Sequence, residues 1–514
     1  MIYSMDIYRN YHLGQWQKTA AHSLGTIIRL LLLLVVIAFW AGCKTPASVE
    51  SSITQRPQVI PAQYKSALAV QIHGSAIELS DSLKGYDSAN LGSTTWDSFF
   101  QDTSLKTLIR QGLRYNYDLQ RAINRLDIAR VNLRQAKLLQ LPTLGISADA
   151  NSTRFSDNGL TGQSMAGAGS VHHYQDYTLQ GQLSWEADIW GKIRNQQKYA
   201  LQDYLRTAEA AKAVRTRLIA EIATGYYNLL ILEKQYQVAT SSLILADSTL
   251  ELTRLLKTAG KTNQLSVQQT AAQRETVALL LPDLEDQISA QQNALLALTG
   301  QMPGTIGDHG ALDQVALPSE IRTGAPADLL NNRPDVRSAE TALKMAISKI
   351  GVAKASLYPT LRITAAGGVE SLKASNWFNL PASLFGMVAG SVLQPVFQQG
   401  ALRRDYKVAE LEKVDAVLAF RTSVLNAVGE VSDALTHYQK LNIQAVMASR
   451  QVDTLQQGAE NASLLYKSGL ANYLEVISAQ NNALQAQLNL ASIHGRELIA
   501  AVDIYRSLGG GRGQ

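Results

Sequence analysis

The chain has 514 residues, 46% of them hydrophobic but only 7% aromatic, and a formal net charge of +5. So weak a charge on so long a chain, with no basic cluster interleaved with aromatics, excludes a nucleic-acid surface. The single cysteine, Cys43, excludes disulfides and thiolate metal sites.

Arg29 precedes an apolar run from Leu30 to Phe39, which continues as Trp40-Ala41-Gly42-Cys43. A basic flank, a short apolar core and small residues before a cut read as a secretory signal over 1–42. A membrane span would need about 20 apolar residues. Ala41 and Gly42 directly before Cys43 resemble the lipobox of bacterial lipoproteins, with Trp40 in the place usually held by Leu. On that resemblance Cys43 is acylated and becomes the mature N-terminus, and Lys44 in place of Asp implies export to the outer membrane. Residues 43–95, rich in Ser, Thr, Pro and Gln, show no sustained period and predict an extended leader lying on the folded body.

From residue 96 the chain repeats itself. A shift of 217 positions lays Asp118, Ala122, Ala136, Lys137, Pro142, Thr143 and Leu144 on Asp335, Ala339, Ala353, Lys354, Pro359, Thr360 and Leu361. A shift of 209 lays Gly191, Glu221, Gly260 and Asn263 on Gly400, Glu430, Gly469 and Asn472. The offset changes across a Gly/Ser-rich stretch, Ser156 to Ser170, read as a longer surface loop in the first copy. The domains expected are a first repeat over 96–300, a linker over 301–328 and a second repeat over 329–511.

Each repeat opens with a helix, roughly 103–140 and 334–357, stopped by a proline that forces its predecessor out of helical geometry. Two strands follow, about 143–186 and 360–396. Leu144, Ile146, Ala148 and Ala150 alternate with Gly145, Ser147, Asp149 and Asn151, a period of two with one apolar and one polar face. Long helices come next. Leu218, Ile222, Gly225, Leu229, Leu232, Tyr236, Ala239, Leu243, Ala246 and Leu250 are spaced alternately by four and three, the mark of a left-handed coiled-coil seam. Leu474, Ile477, Asn481, Leu484, Leu488, Ala491, Gly495, Leu498, Val502 and Tyr505 repeat it. At 1.5 Å per residue the segment 192–259 would run for roughly 100 Å. Pro282 is expected to kink the helix returning over 263–300.

Four alternating strands cannot close a barrel, and an open edge in lipid leaves backbone groups unpaired. Strands entering a membrane must therefore be pooled from several chains, and geometry alone does not fix how many.

Gly324-Ala325-Pro326-Ala327-Asp328-Leu329-Leu330, then Asn331-Asn332-Arg333-Pro334-Asp335-Val336, with Trp185 to Gly191, Gln394-Pro395-Val396-Phe397 and Glu430-Val431-Ser432-Asp433, resemble the TolC-type outer-membrane efflux family in its lipoprotein branch. The resemblance covers about 95–511. It implies a mainly α protein with a small β part: a homotrimer whose α-helical barrel continues a 12-stranded transmembrane β-barrel, four strands per chain. It implies an exit duct of a tripartite pump. The partners would be outer-membrane lipid, a periplasmic membrane-fusion adaptor and an inner-membrane RND-type transporter. Alternatives are a duct for type I protein secretion or a periplasmic coiled-coil scaffold without a pore.

Docking is expected where the helix pairs turn, at Lys257, Gly260, Thr262 and Asn263 and at Gly469, Leu470, Ala471 and Asn472. Glycine there permits the backbone conformation that ends one helix and begins the next. The resemblance implies a gate nearby, with Tyr466 matching the family's tyrosine, Leu474 as an apolar constriction, and Ser478 where an acid is often found. No enzyme, cofactor or metal site is expected beyond the lipid on Cys43. Gly162-Gln163-Ser164-Met165-Ala166 lacks the last glycine of a nucleophile elbow and is read as loop. His172-His173 has no third ligand at useful spacing.

Overall fold

Proline, glycine and asparagine set the ends of the elements in a computed structural model, which describes residues 94–167, 173–307, 309–315 and 329–510. The signal segment, Cys43, nearly all of the leader, His172, residues 316–328 and Gly511 lie outside the described residues. The first half contains helices α1 (Trp96–Phe99), α2 (Thr103–Tyr115) and α3 (Tyr117–Leu138), then strand β1 (Thr143–Arg154), helix α4 (Leu160–Gly167) and strand β2 (His173–Ala187). Helices α5 (Lys192–Thr258), α6 (Gln264–Ala278) and α7 (Leu280–Leu298) follow. The second half contains α8 (Leu329–Asn332), α9 (Pro334–Ala355), β3 (Thr360–Ser371), β4 (Leu384–Leu393), α10 (Ala401–Lys467) and α11 (Tyr473–Ser507). Both α5 and α10 have 67 residues, and each begins after a left-handed glycine, Gly191 at φ +76 and Gly400 at φ +79.

Two expectations need correction, and the kink expected from Pro282 is found as a break in the helix. The helix expected over 103–140 breaks at Asn116, whose Oδ1 accepts from Leu119 N–H while its Nδ2 donates to Leu298 O at 3.0 Å. An asparagine that bonds the backbone locally ends one helix and caps the next. The Gly/Ser-rich stretch is not all loop, since α4 lies within it. The return helix divides at Leu279, where Pro282 has no N–H to give the carbonyl of Ala278.

The strands form one antiparallel sheet in the order β1-β2-β3-β4, so β1 and β4 are its edges. Register places Ile146 opposite Gly181, Gly181 opposite Gly367 and Gly367 opposite Gly386. Two residues along on the same face, Leu144, Leu183, Ala365 and Val388 form a second row. On the other face Ser147, Gln180 and Gly368 line up, as do Asp149, Thr178 and Glu370. Among the described residues nothing covers the apolar face: Ile146 is 80% and Val388 81% exposed.

Beside the sheet, α5 packs against α3 and α9, and α9 packs against α10. Further along, α11 packs between α5 and α10, while α6 and α7 lie on α5. The core centres on α5 at Leu218, Ile219, Ile222, Tyr226, Leu229 and Leu230. The first helix, the linker and the last helix join it through Phe99, Leu312 and Tyr505, with Phe99 and Tyr505 stacked at 4.5 Å. Gly495 of α11 lets the helices approach here, because a Cβ would stand 2.0 Å from Ile231 Cγ1. The seam expected along α11 holds from Leu484 to Tyr505, but Leu474 and Asn481 are exposed and Val476 and Ala483 are buried instead.

The Arg-Pro-Asp motif closes this region. Pro334 takes the first position of α9, where a missing N–H costs nothing. The buried Arg333 guanidinium grips both oxygens of Asp335 at 3.0 and 2.6 Å, and its Nη1 donates to Ser507 O and to Glu430. Burial pushes the Asp335 carboxyl up, but the bonds and charge of Arg333 outweigh it and hold it below the usual carboxylate range.

The two joints between sheet and long helix differ. Before α5, Asp188 accepts from the N–H groups of Ile193 and Arg194 and from the Arg194 guanidinium. Beside it, Trp190 stacks on Tyr358 at 4.8 Å and donates to Pro359 O. Before α10, Gln394 donates to Leu357 O, while Val396 and Phe397 are 94% and 84% exposed.

Candidate functional site

The two helix hairpins turn in the same way. Gly260 at φ +71 and Gly469 at φ +75 end α5 and α10 in the left-handed conformation that a side chain would strain. Lys261 N–H closes back on Leu256 O, and Leu470 N–H on Leu465 O, both at 2.9 Å. Each returning helix is capped by asparagine: Asn263 accepts from Ser266 N–H, and Asn472 accepts from Glu475 N–H. Glu475 completes a capping box by accepting from Asn472 N–H at 3.1 Å. The hairpin residues expected to dock therefore divide by role. Lys257, Gly260, Asn263, Gly469, Leu470 and Asn472 are exposed, while Thr262 and Ala471 are half-buried. Thr262 donates to Ser266 Oγ at 2.8 Å, and Lys257 reaches Gln264 Oε1.

The three gate candidates differ in burial, Leu474 and Ser478 lying one turn apart on α11 and Tyr466 on α10. Tyr466 is buried between α10 and α5, Leu474 is 53% exposed, and Ser478 is exposed. Tyr466 meets Thr253, which is fully buried, with 3.1 Å between hydroxyl oxygens. Thr253 gives its own proton to Thr249 O, so the Tyr466 O–H is the donor between them. One turn back along α5, Thr249 gives its proton to Leu245 O and accepts from Gln480 Nε2 of α11 at 2.9 Å. A third bond joins Tyr473 of α11 to Gln269 of α6. Two threonines a helical turn apart thus tie α5 to both α10 and α11 near the tip.

Sequence reasoning passed over Thr249, Thr253 and Gln480. Thr253 was nonetheless legible, because the seam through Ala246 and Leu250 reaches it at the next step of three. A polar residue at a seam position asks for a partner.

The chemistry rejected from sequence can also be placed. Ser164 lies within α4, its hydroxyl donating to Leu160 O and Thr161 O. His173 Nε2 stands 2.9 Å from Ser152 Oγ. Among the described residues no group of three His, Cys, Asp or Glu side chains could hold a metal ion.

A family model described as outer membrane efflux protein matches residues 108–301 and 325–510. The toluene efflux pump outer membrane protein TtgF of Pseudomonas putida is 30% identical over 81% of this chain and 85% of its own length. SilC of Salmonella typhimurium, named a probable outer membrane lipoprotein, is 24% identical over 94% of this chain and 98% of its own. Among solved structures, the outer-membrane channel OprN superposes with a TM-score of 0.77 at 25% identity, covering 89% of this chain and 98% of that one. With both halves matched and the fold shared along nearly all the described residues, the chain belongs to the outer membrane efflux protein family.

Proposed function

We propose that three copies of this chain form the exit duct of a tripartite efflux system, which conducts small molecules passively from pump and adaptor across the outer membrane. The observation that carries this reading is the sheet. Among the described residues it has an uncovered apolar face, an opposite face that is polar on β1 and β2, and two edges without a strand partner, an arrangement that is stable in lipid only when other copies complete a closed barrel. Three four-stranded sheets give twelve strands, within the range of such barrels. The helices support the same closure. They run α3-α5-α9-α10, so the free ends of the helical layer belong to the same parts of the chain as edges β1 and β4. The equal lengths of α5 and α10 support reading each chain as two structural repeats.

In this duct the exposed hairpin residues Lys257, Gly260, Gly469 and Leu470 meet the adaptor, with Thr262, Asn263, Ala471 and Asn472 holding their shape. Closure of the tip rests on Tyr466 and the threonine pair, with Leu474 narrowing the lumen and Ser478 leaving it without an acidic ring. Cys43 carries the lipid, a reading that the lipoprotein name of SilC supports. The test uses the purified full-length protein. A heat-resistant trimer that conducts ions in planar bilayers is expected, and a species that gives no conductance would sink the proposal in favour of a scaffold.

A further inference from the structure

The linker between the two halves crosses α5 at a group of titratable side chains that the duct does not use. His309 has only 12% of its side chain exposed. Its Nδ1 lies 2.8 Å from the carbonyl oxygen of Gly307, and its Nε2 lies 2.9 and 3.0 Å from the carboxylate oxygens of Glu233 on α5. A carbonyl oxygen has no proton to give, so Nδ1 must donate to it. An ionised carboxylate places the same demand on Nε2. Both ring nitrogens bear hydrogen only in the imidazolium ion. With the Glu233 carboxylate ionised, the contacts therefore specify a charged histidine.

The other groups facing this position come from four parts of the chain. From α5, Tyr226 presents its ring to His309 at 6.1 Å and donates its hydroxyl to Asp102, which precedes α2. Tyr227 is buried next to it. On the linker itself Asp313 is paired with Lys234 of α5. Asp313 also faces His494 of α11, whose Nδ1 lies 3.6 Å from Glu497. Burial pulls His309 toward its neutral form, but the Gly307 bond and the Glu233 charge outweigh this and hold its pKa above the ordinary histidine value.

We propose that His309 and Glu233 form a proton-dependent clamp that fastens the linker at Gly307 and His309 to α5, closed while His309 is imidazolium and released when it loses its proton. The neutral ring keeps a single N–H and must abandon either Gly307 or the partly buried Glu233, which then lacks a donor. A pKa raised in the clamped state means the clamp is fully present below about pH 6.5 and is lost as pH rises through the higher, clamped value. Leu312, buried in the core, anchors the far side, so the stretch before it is the part released. The inference does not depend on the trimeric duct.

The test is a histidine titration of the full-length protein in detergent, with carbon-13 at every Cε1. The His309 signal is identified by its loss in His309→Gln. It is expected to titrate above about pH 6.5, and to move down toward that value in Glu233→Gln, which keeps the shape and removes the charge. Hydrogen exchange of the peptide 301–315, corrected for intrinsic rate, should accelerate through the same pH range. The linkage is tenfold in the opening equilibrium for each pH unit separating the clamped and released titrations. Peptides of α11 should keep their protection, which shows that the fold is intact. In His309→Gln the acceleration should vanish. A His309 that titrates at or below about pH 6.5, or an acceleration as large in His309→Gln as in the wild type, overturns the proposal.

Discussion

Tyr466→Phe removes one oxygen and leaves the ring in place between α10 and α5. Tyr466 is 5% exposed and Thr253 fully buried, so water does not replace the lost donor. Thr253 keeps its own bond to Thr249 O at 2.8 Å and is not stranded. The loss is therefore the net worth of one neutral hydrogen bond, about 0.5–1.5 kcal/mol, rather than the larger penalty of an orphaned group. If that bond holds the tip closed, the ratio of open to closed time rises roughly two- to twelvefold for each copy whose bond breaks on opening, and these factors multiply when the three copies open together, since about 1.4 kcal/mol is a factor of ten. Single-channel recording of the purified protein in planar bilayers reads this ratio directly. Thr253→Val should give a larger increase, because it strands the buried Tyr466 hydroxyl, and the double variant should fall back toward Tyr466→Phe alone, because both delete the same bond. An unchanged ratio in Tyr466→Phe, or effects of the two variants that simply add, would refute the reasoning.

Gly495→Ala should destabilise the α5–α11 seam by about 1–3 kcal/mol, because the new methyl meets Ile231 atoms at 2.0 and 2.1 Å. Ile231→Ala removes those atoms, so melting temperatures of the two single variants and the double variant should show the double to be much less damaged than the sum; additive losses would mean that the helices move apart freely. Asp335 titrates below its ordinary value, so its contribution is present above about pH 3.9 and is lost as pH falls through the lower, folded value. Asp335→Asn should therefore flatten acid destabilisation between about pH 5 and about pH 2 in thermal melts; an unaltered slope would remove Asp335 from the account.

Much of this architecture was legible because it is periodic. The strands of β1 and β2 appear as alternation, the helix α5 as an unbroken seam, and the hairpin turns as Gly260 and Gly469 followed by asparagine caps. Features resting on single contacts were not legible. Asn116 caps α3 through Leu119 N–H, but the bond that buries it there goes to Leu298, far along the chain. The short helix α4 arises in a stretch whose composition suggests only loop. At the start of α11 the heptad pattern continues through Leu474 and Asn481, yet the helix turns Val476 and Ala483 inward and Gln480 reaches Thr249. The clamp at His309 joins residues 76 apart and has no sequence pattern at all.

The unequal joints at the ends of the sheet have a mechanical consequence. Asp188 fixes the first turn of α5 to the end of β2 by three bonds, and the Trp190–Tyr358 stack braces it from the side. Phe397, the residue 209 positions on, supplies no such cap, and Gln399 there adopts a positive φ of 52 before the helix begins. Torque applied at the far end of α5 is thus delivered to the strands, whereas torque along α10 is absorbed in the segment from Gln394 to Gly400. Each chain is thus held firmly to the sheet on one long helix and loosely on the other, so twisting of α10 alone need not disturb the sheet.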